Sequence, residues 1–227
     1  AFQLLNALYA FVAGGAWGYD PPLRDRDDLA RLTMPSFTLD RDESERGLAR
    51  LHDLLGDILP VRCVAALPLS ATLCVEAAAL RGLTPLLLDM ADDPDWVRRF
   101  MGFLRDACLR SMDQVEATGW LAENRHEAMT GSDPVGPVSA DGTIRLANLW
   151  CLANSQEFDP VSPEMWEAYL LEFQKPILAR FGLTGYGCCE NLTRKIDGVL
   201  SIPNLRIFVC SAWTDLETVV DRVGRRK

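Results

Sequence analysis

The chain lacks several features that would assign it to a large functional class. Clustered positive charge is scarce: 23 Lys and Arg face 32 Asp and Glu, the formal net charge is −9, and the basic cluster Arg225-Arg226-Lys227 reads as a solvated tail. A nucleic-acid partner is excluded on this count, because phosphate contacts need grouped cations that neutralise the backbone. No run reads as membrane-spanning. The apolar start, residues 4–18, is too short, is rich in Gly and aromatic residues, and lacks the basic flank of a signal peptide. A Gly-rich dinucleotide fingerprint and a phosphate loop are both missing, which weakens a nucleotide-binding open sheet. The seven cysteines are odd in number and scattered, so they read as reduced thiols rather than a disulfide framework, and the cytoplasm is the expected compartment.

What is present is an alternation of helical and strand patterns without a linker, in a chain long enough for one large domain. Asp42 with Glu45 resembles a capping box, followed by a helical stripe of Leu48, Leu51, Leu54, Leu55 and Ile58 up to Pro60. Residues 61–67 suit a buried strand, and 69–80 form an Ala-rich helix ending at Gly82. Asp93-Pro94 opens the longest helix, which carries Trp96, Val97, Phe100, Met101, Leu104, Cys108, Met112 and Val115 on one side and closes at Gly119. Residues 120–122 predict a short strand that delivers Glu123, Asn124, Arg125 and His126. The Gly-, Pro-, Ser- and Asp-rich stretch 129–142 predicts a loop, and 144–152 another buried segment. Ser162 and Pro163 start a helix reaching residue 181. A short helix over 192–200, a strand over 205–209 and a last helix over 214–223 follow. Such alternation implies an α/β fold with a parallel sheet.

The densest chemistry lies at Gly185-Tyr186-Gly187-Cys188-Cys189-Glu190, where an apolar run ends and two thiols, a phenol and a carboxylate appear together. Functional groups of an α/β barrel sit on the loops after its strands. A thiolate binds zinc or attacks electrophiles, and a following helix N-terminus lowers a thiol pKa, so Cys188 or Cys189 is expected to be activated. A metal at this turn needs further ligands, for which Glu157, Cys210 and His126 are the candidates beside Cys188. The alternative for each is plain packing. Cys63, Cys74, Cys108 and Cys151 read as core residues, Cys210 as more often structural than ligating, His126 as a loop histidine or a pocket residue in equal measure, and His52 as solvent-facing.

Asp27-Asp28-Leu29-Ala30-Arg31-Leu32 leading to Pro35, Leu80-Arg81-Gly82 leading to Asp92-Asp93-Pro94, and Ser162-Pro163-Glu164-Met165-Trp166 leading to Gly187-Cys188-Cys189 together resemble the uroporphyrinogen decarboxylase superfamily. The Ser155-Gln156-Glu157 and 186–190 segments are similar to its corrinoid-dependent methyltransferases rather than to the haem-pathway decarboxylases. The resemblance covers about residues 25–221 and implies one (β/α)8 TIM barrel over residues 1–227, expected to be incomplete at both ends; missing strands would leave exposed sheet edges, so a homo-oligomer or a marginally stable chain is expected. It implies transfer of a methyl group between a corrinoid on a corrinoid-binding partner protein and a small thiol or folate acceptor. Cys188, Glu157, Tyr186 and His126 would then be catalytic, Cys189, Glu190 and Asn124 cofactor-binding, and Glu157, Cys188 and Cys210 the ligands of any zinc. Tyr186 stands where zinc-dependent members carry His, a departure from their ligand pattern. The alternatives are a porphyrinogen carboxy-lyase, for which convincing arginines at strand ends are too few, and a non-catalytic fragment or scaffold.

Overall fold

The computed structural model describes residues 8–12, 16–67, 70–125 and 130–224, with side chains from residue 20 onward. It is a mixed α/β structure. An antiparallel hairpin, β1 (Leu8–Val12) with β2 (Ala16–Asp20), precedes a helical half of α1 (Arg41–Leu55), α2 (Cys74–Arg81), α3 (Leu83–Asp92) and α4 (Pro94–Glu116). The second half is a three-stranded parallel sheet, β3 (Trp150–Ala153), β4 (Leu183–Tyr186) and β5 (Leu205–Phe208), in that spatial order. Helices connect its strands: α5 (Pro163–Trp166) runs through a π-helical segment, Glu167–Leu171, into α6 (Glu172–Leu178), α7 (Ile196–Leu200) links β4 to β5, and α8 (Leu216–Val223) follows. The parallel pairing of the Leu183 and Ile207 segments is the one their helical crossover requires. A closed eight-stranded barrel is not formed by the described residues.

Two expected strands differ. Residues 61–67 and 120–122 form no ladder among the described residues; a single backbone bond, Ala65 N–H to Trp120 C=O at 2.8 Å, joins them. Asn124 explains how the second segment still lies beside the sheet. Its amide accepts from Trp150 N–H at 2.9 Å and donates to Trp150 C=O at 2.8 Å, so a side chain replaces a strand's backbone at the edge of β3. The expected 144–152 strand is shorter, because a 3-10 turn at Leu146–Asn148 precedes β3. The cap of α1 is Asp40, which accepts from Glu43 N–H at 2.9 Å, not Asp42. Helix α3 was hidden by Gly82, whose φ of 86° ends α2 and permits a second helix to start at once.

The core lies between α4 and the π-helical connection, where Trp96, Phe100, Met101, Trp166, Leu170 and Leu171 are buried. Pro94 at the start of α4 and Asp93 accepting from Trp96 N–H at 3.0 Å fix its beginning. One polar node ties the helical half together. Arg81 and Asp89, with side chains 9% and 4% exposed, pair at 2.8 Å. Arg81 also donates to Leu23 C=O at 2.9 Å, and Arg26 reaches Asp89 at 2.8 Å while its own carbonyl accepts from the Trp96 indole. Replacing Asp89 with Asn leaves the Arg81 charge buried without its counter-ion. Urea denaturation should show a loss of about 3–5 kcal/mol for this variant, and a loss within ±0.5 kcal/mol, about that of a neutral surface change, would contradict the assignment.

Candidate functional site

Three segments meet at the carboxyl end of the parallel sheet: the loop after β3, the turn after β4, and the approach to α2. The turn after β4 begins at Gly187, with φ of 115°, where an added Cβ would lie 2.5 Å from Val209 C=O. Only glycine fits there. Glu190, 1% exposed, then folds back across two loops. One of its oxygens accepts from Ser155 N–H at 2.7 Å and Ser155 Oγ at 3.2 Å, and the other from Cys188 N–H at 3.0 Å. The carboxylate is thus a clamp between the β3 and β4 loops.

Cys74 enters from the third segment through a strained turn. Leu73 has φ 55° and ψ −36°, and Cys74 N–H bonds to Thr72 C=O at 2.6 Å, the tight γ-turn that positive φ produces. A non-glycine residue held there costs of order 1–3 kcal/mol, so surrounding packing has to hold it. Leu73, 1% exposed, is held by that packing. The turn aims the Cys74 thiol at Glu157, and Sγ donates to Oε2 at 2.9 Å. Burial, and next the negative Glu157, push the Cys74 pKa well up, so the sulfur keeps its proton and remains a donor. Glu76, one residue into the same helix from Val75, accepts from Ser70 N–H at 3.4 Å, has a second oxygen buried without a partner among the described residues, and is raised in pKa by burial.

Beneath this contact runs a buried polar network. The Tyr186 hydroxyl accepts from Trp166 Nε1 at 3.2 Å and donates to Gln174 Oε1 at 2.9 Å. Gln174 Nε2 donates in turn to Thr72 C=O at 2.8 Å and Asn154 C=O at 3.0 Å. Thr72 leads into Cys74 and Asn154 leads into Glu157, so one amide group fixes both loops that carry the thiol–carboxylate contact. Burial raises the Tyr186 pKa, which keeps the phenol protonated and able to donate. Lys195 closes the far side by donating to Phe158 C=O at 2.7 Å, its pKa lowered by burial.

The expected site residues therefore divide. Cys188, Cys189 and Glu190 come together, with the two sulfurs 3.6 Å apart. Glu157 is brought to Cys74, a residue expected only in the core. Tyr186 lies fully buried below the site, and Asn124 spends its amide on Trp150. Cys210 is exposed at the end of β5. His126 lies outside the described residues. Cys63, expected in the core, is exposed, because its segment forms no strand within the sheet. Activation of Cys188 by a helix dipole is corrected as well. The helical turn starts at Thr193, next to the expected Leu192, but the hydrogen bond with Cys189, then partial burial, raise the Cys188 pKa.

Among the described residues no three His, Cys, Asp or Glu side chains gather to hold a metal. Glu157, Cys188 and Cys210, the expected zinc ligands, form no such group among the described residues, and the Tyr186 hydroxyl is engaged in the core. Sequence reasoning missed Cys74 and Gln174. Gln174 was legible, since it falls on the apolar face between Leu170 and Ile177, where a polar residue needs buried partners. No family model matches the chain, and no curated protein matches it.

Three buried thiols give this structure a pH signature. Burial pushes Cys151 up to about 12 and raises Cys74 and Cys108. The unfolded chain releases these protons from about pH 8.5 upward while the folded chain retains them. Stability is therefore fully present below that pH and falls above it, with a slope of up to about 1.4 kcal/mol per pH unit for each thiol. Urea midpoints measured at intervals through the alkaline range should decline steadily, and replacement of Cys151 by Ala should make the decline shallower. A flat profile would contradict the burial of these groups.

Proposed function

We propose that the chain is a methyl-transfer enzyme of the uroporphyrinogen decarboxylase-like (β/α)8 kind, working in the cytoplasm between a corrinoid carried by a partner protein and a small thiol or folate acceptor. The observation that carries this reading is the Glu157 carboxylate, half-buried at the carboxyl end of the parallel sheet and already accepting an S–H at 2.9 Å. A thiol acceptor needs a base placed in just this way, because the thiolate is the nucleophile.

Glu157 takes the proton of the acceptor thiol once that thiol replaces Cys74 as its hydrogen-bond donor. The sulfur then attacks the methyl carbon in line, and the electron pair of the broken methyl–cobalt bond stays with the partner's corrinoid. Orientation supplies much of the rate, since two held reactants avoid the entropy of meeting. Gln174, Tyr186 and Trp166 act as positioning residues, fixing the loop from which Glu157 projects. Cys188 stands at the rim of the same edge, partly exposed. An acidic chain of net charge −9 suits a protein partner with a basic docking face.

The test supplies free methylcobalamin with a small thiol and follows demethylation by absorbance. The wild-type protein should demethylate it, and Glu157→Gln should lose about 100-fold or more of the rate with circular dichroism unchanged. A folded wild-type protein that leaves methylcobalamin intact, or a Glu157→Gln variant at the wild-type rate, would contradict the proposal.

A further inference from the structure

The adjacent thiols Cys188 and Cys189 have a geometry that selects among soft ligands. Cys189 is exposed and Cys188 partly so, and their sulfurs stand 3.6 Å apart at the surface of the turn after β4. The turn is built rather than loose: Gly187 is required by Val209, and the buried Glu190 carboxylate holds Cys188 N–H. Direct closure to a disulfide is disfavoured. Neighbouring Cα atoms lie about 3.8 Å apart across a trans peptide, below the separations of about 4.4–6.8 Å that disulfides adopt. A single atom inserted between the sulfurs relieves that conflict.

The spacing also states what kind of atom fits. An atom bonded to both sulfurs at about 2.3 Å, the zinc–thiolate length, subtends about 100° at the observed separation of 3.6 Å. Linear two-coordination would need the sulfurs about 4.6 Å apart, twice that bond length. An angle near 100° is tetrahedral or pyramidal. A tetrahedral metal needs further protein ligands, and among the described residues no third His, Cys, Asp or Glu side chain joins the pair. A pyramidal three-coordinate metalloid brings its own third substituent.

We propose that Cys188 and Cys189 form a chelating dithiol for monosubstituted trivalent arsenicals. Each sulfur forms one S–As bond, and the two thiol protons leave with the arsenical's oxygen as one water molecule, so no oxidant or reductant is consumed. The mutual hydrogen bond holds both sulfurs on the same side until the arsenical arrives. The buried clamp at Glu190 means that little ordering remains to be done on capture, which favours affinity. The site stands independently of the methyl-transfer reading.

Phenylarsine oxide, added to the whole protein in the presence of excess monothiol, tests it. One arsenical should bind per chain, with the loss of two titratable thiols, and the adduct should map to the peptide holding residues 188–189 rather than to exposed Cys63 or Cys210. An added dithiol should strip it. Cys188→Ser and Cys189→Ser, both at the surface, should each weaken binding at least tenfold. No capture that survives the monothiol, an adduct mapped elsewhere, or single variants binding like wild type would each overturn the proposal, and the mapping on wild-type protein decides even if a variant misfolds.

Discussion

The structure around the candidate site depends on one side-chain amide. Gln174 is fully buried in α6, and burying an amide is unfavourable unless its donors and acceptor are all used. Here they are: the oxygen accepts from Tyr186, and the nitrogen donates to the carbonyls of Thr72 and Asn154, 102 and 20 residues away in the chain. No backbone ladder joins those two loops among the described residues, so the amide does the work that a strand pair does elsewhere. Because Thr72 and Asn154 sit two and three residues before Cys74 and Glu157, fixing their carbonyls fixes the thiol–carboxylate contact.

Other constraints converge on the same edge. The γ-turn at Leu73 is unfavourable by itself and is tolerated because Leu73 and α2 are packed on the core. The Arg81–Asp89 pair anchors the far end of that helix, so the turn cannot relax by shifting α2 along its axis. On the sheet side, Gly187 lets β4 pass close beneath Val209, and Glu190 then joins the β4 turn to Ser155. The site is therefore assembled from carboxylates and amides that satisfy loop backbone, with Glu157 left half-exposed and free of such a duty. That difference separates Glu157, expected as a catalytic or metal-binding group, from Glu190, expected to bind a cofactor and found instead to hold loop backbone.

Much of this was legible before the fold was known, and the reasons for the rest are physical. The long helix α4 and the parallel β4–β5 pair follow from strong periodicity and from a crossover that allows no other pairing. The gathering of Cys188, Cys189 and Glu190 follows from adjacency at a strand end. Residues 61–67 carry the composition of a strand, but pairing is a property of the neighbour, and only Ala65 finds one among the described residues. Cys63 is exposed for the same reason. The Ala-rich surroundings of Cys74 predict a core residue, and it is buried; its partner Glu157 lies 83 residues away and leaves no trace in local pattern. Asn124 looked like a ligand-binding residue, yet serves as a substitute for strand backbone, a role that short-range sequence cannot distinguish from binding.

The central claim is that the Gln174 amide sets the geometry of Cys74 and Glu157, and Gln174→Leu tests it most directly. Leucine fills the space but leaves the Thr72 and Asn154 carbonyls and the Tyr186 O–H without their Gln174 partner, which should cost about 1–3 kcal/mol for each orphaned group in urea denaturation. The decisive readout is the rate at which Cys74 is alkylated in the native protein. That rate should rise well beyond what the stability loss alone allows, while Cys108 and Cys151 remain protected, because the loops carrying the contact are released locally. Cys74 as protected as in the wild type, in a variant that still folds, would contradict the account.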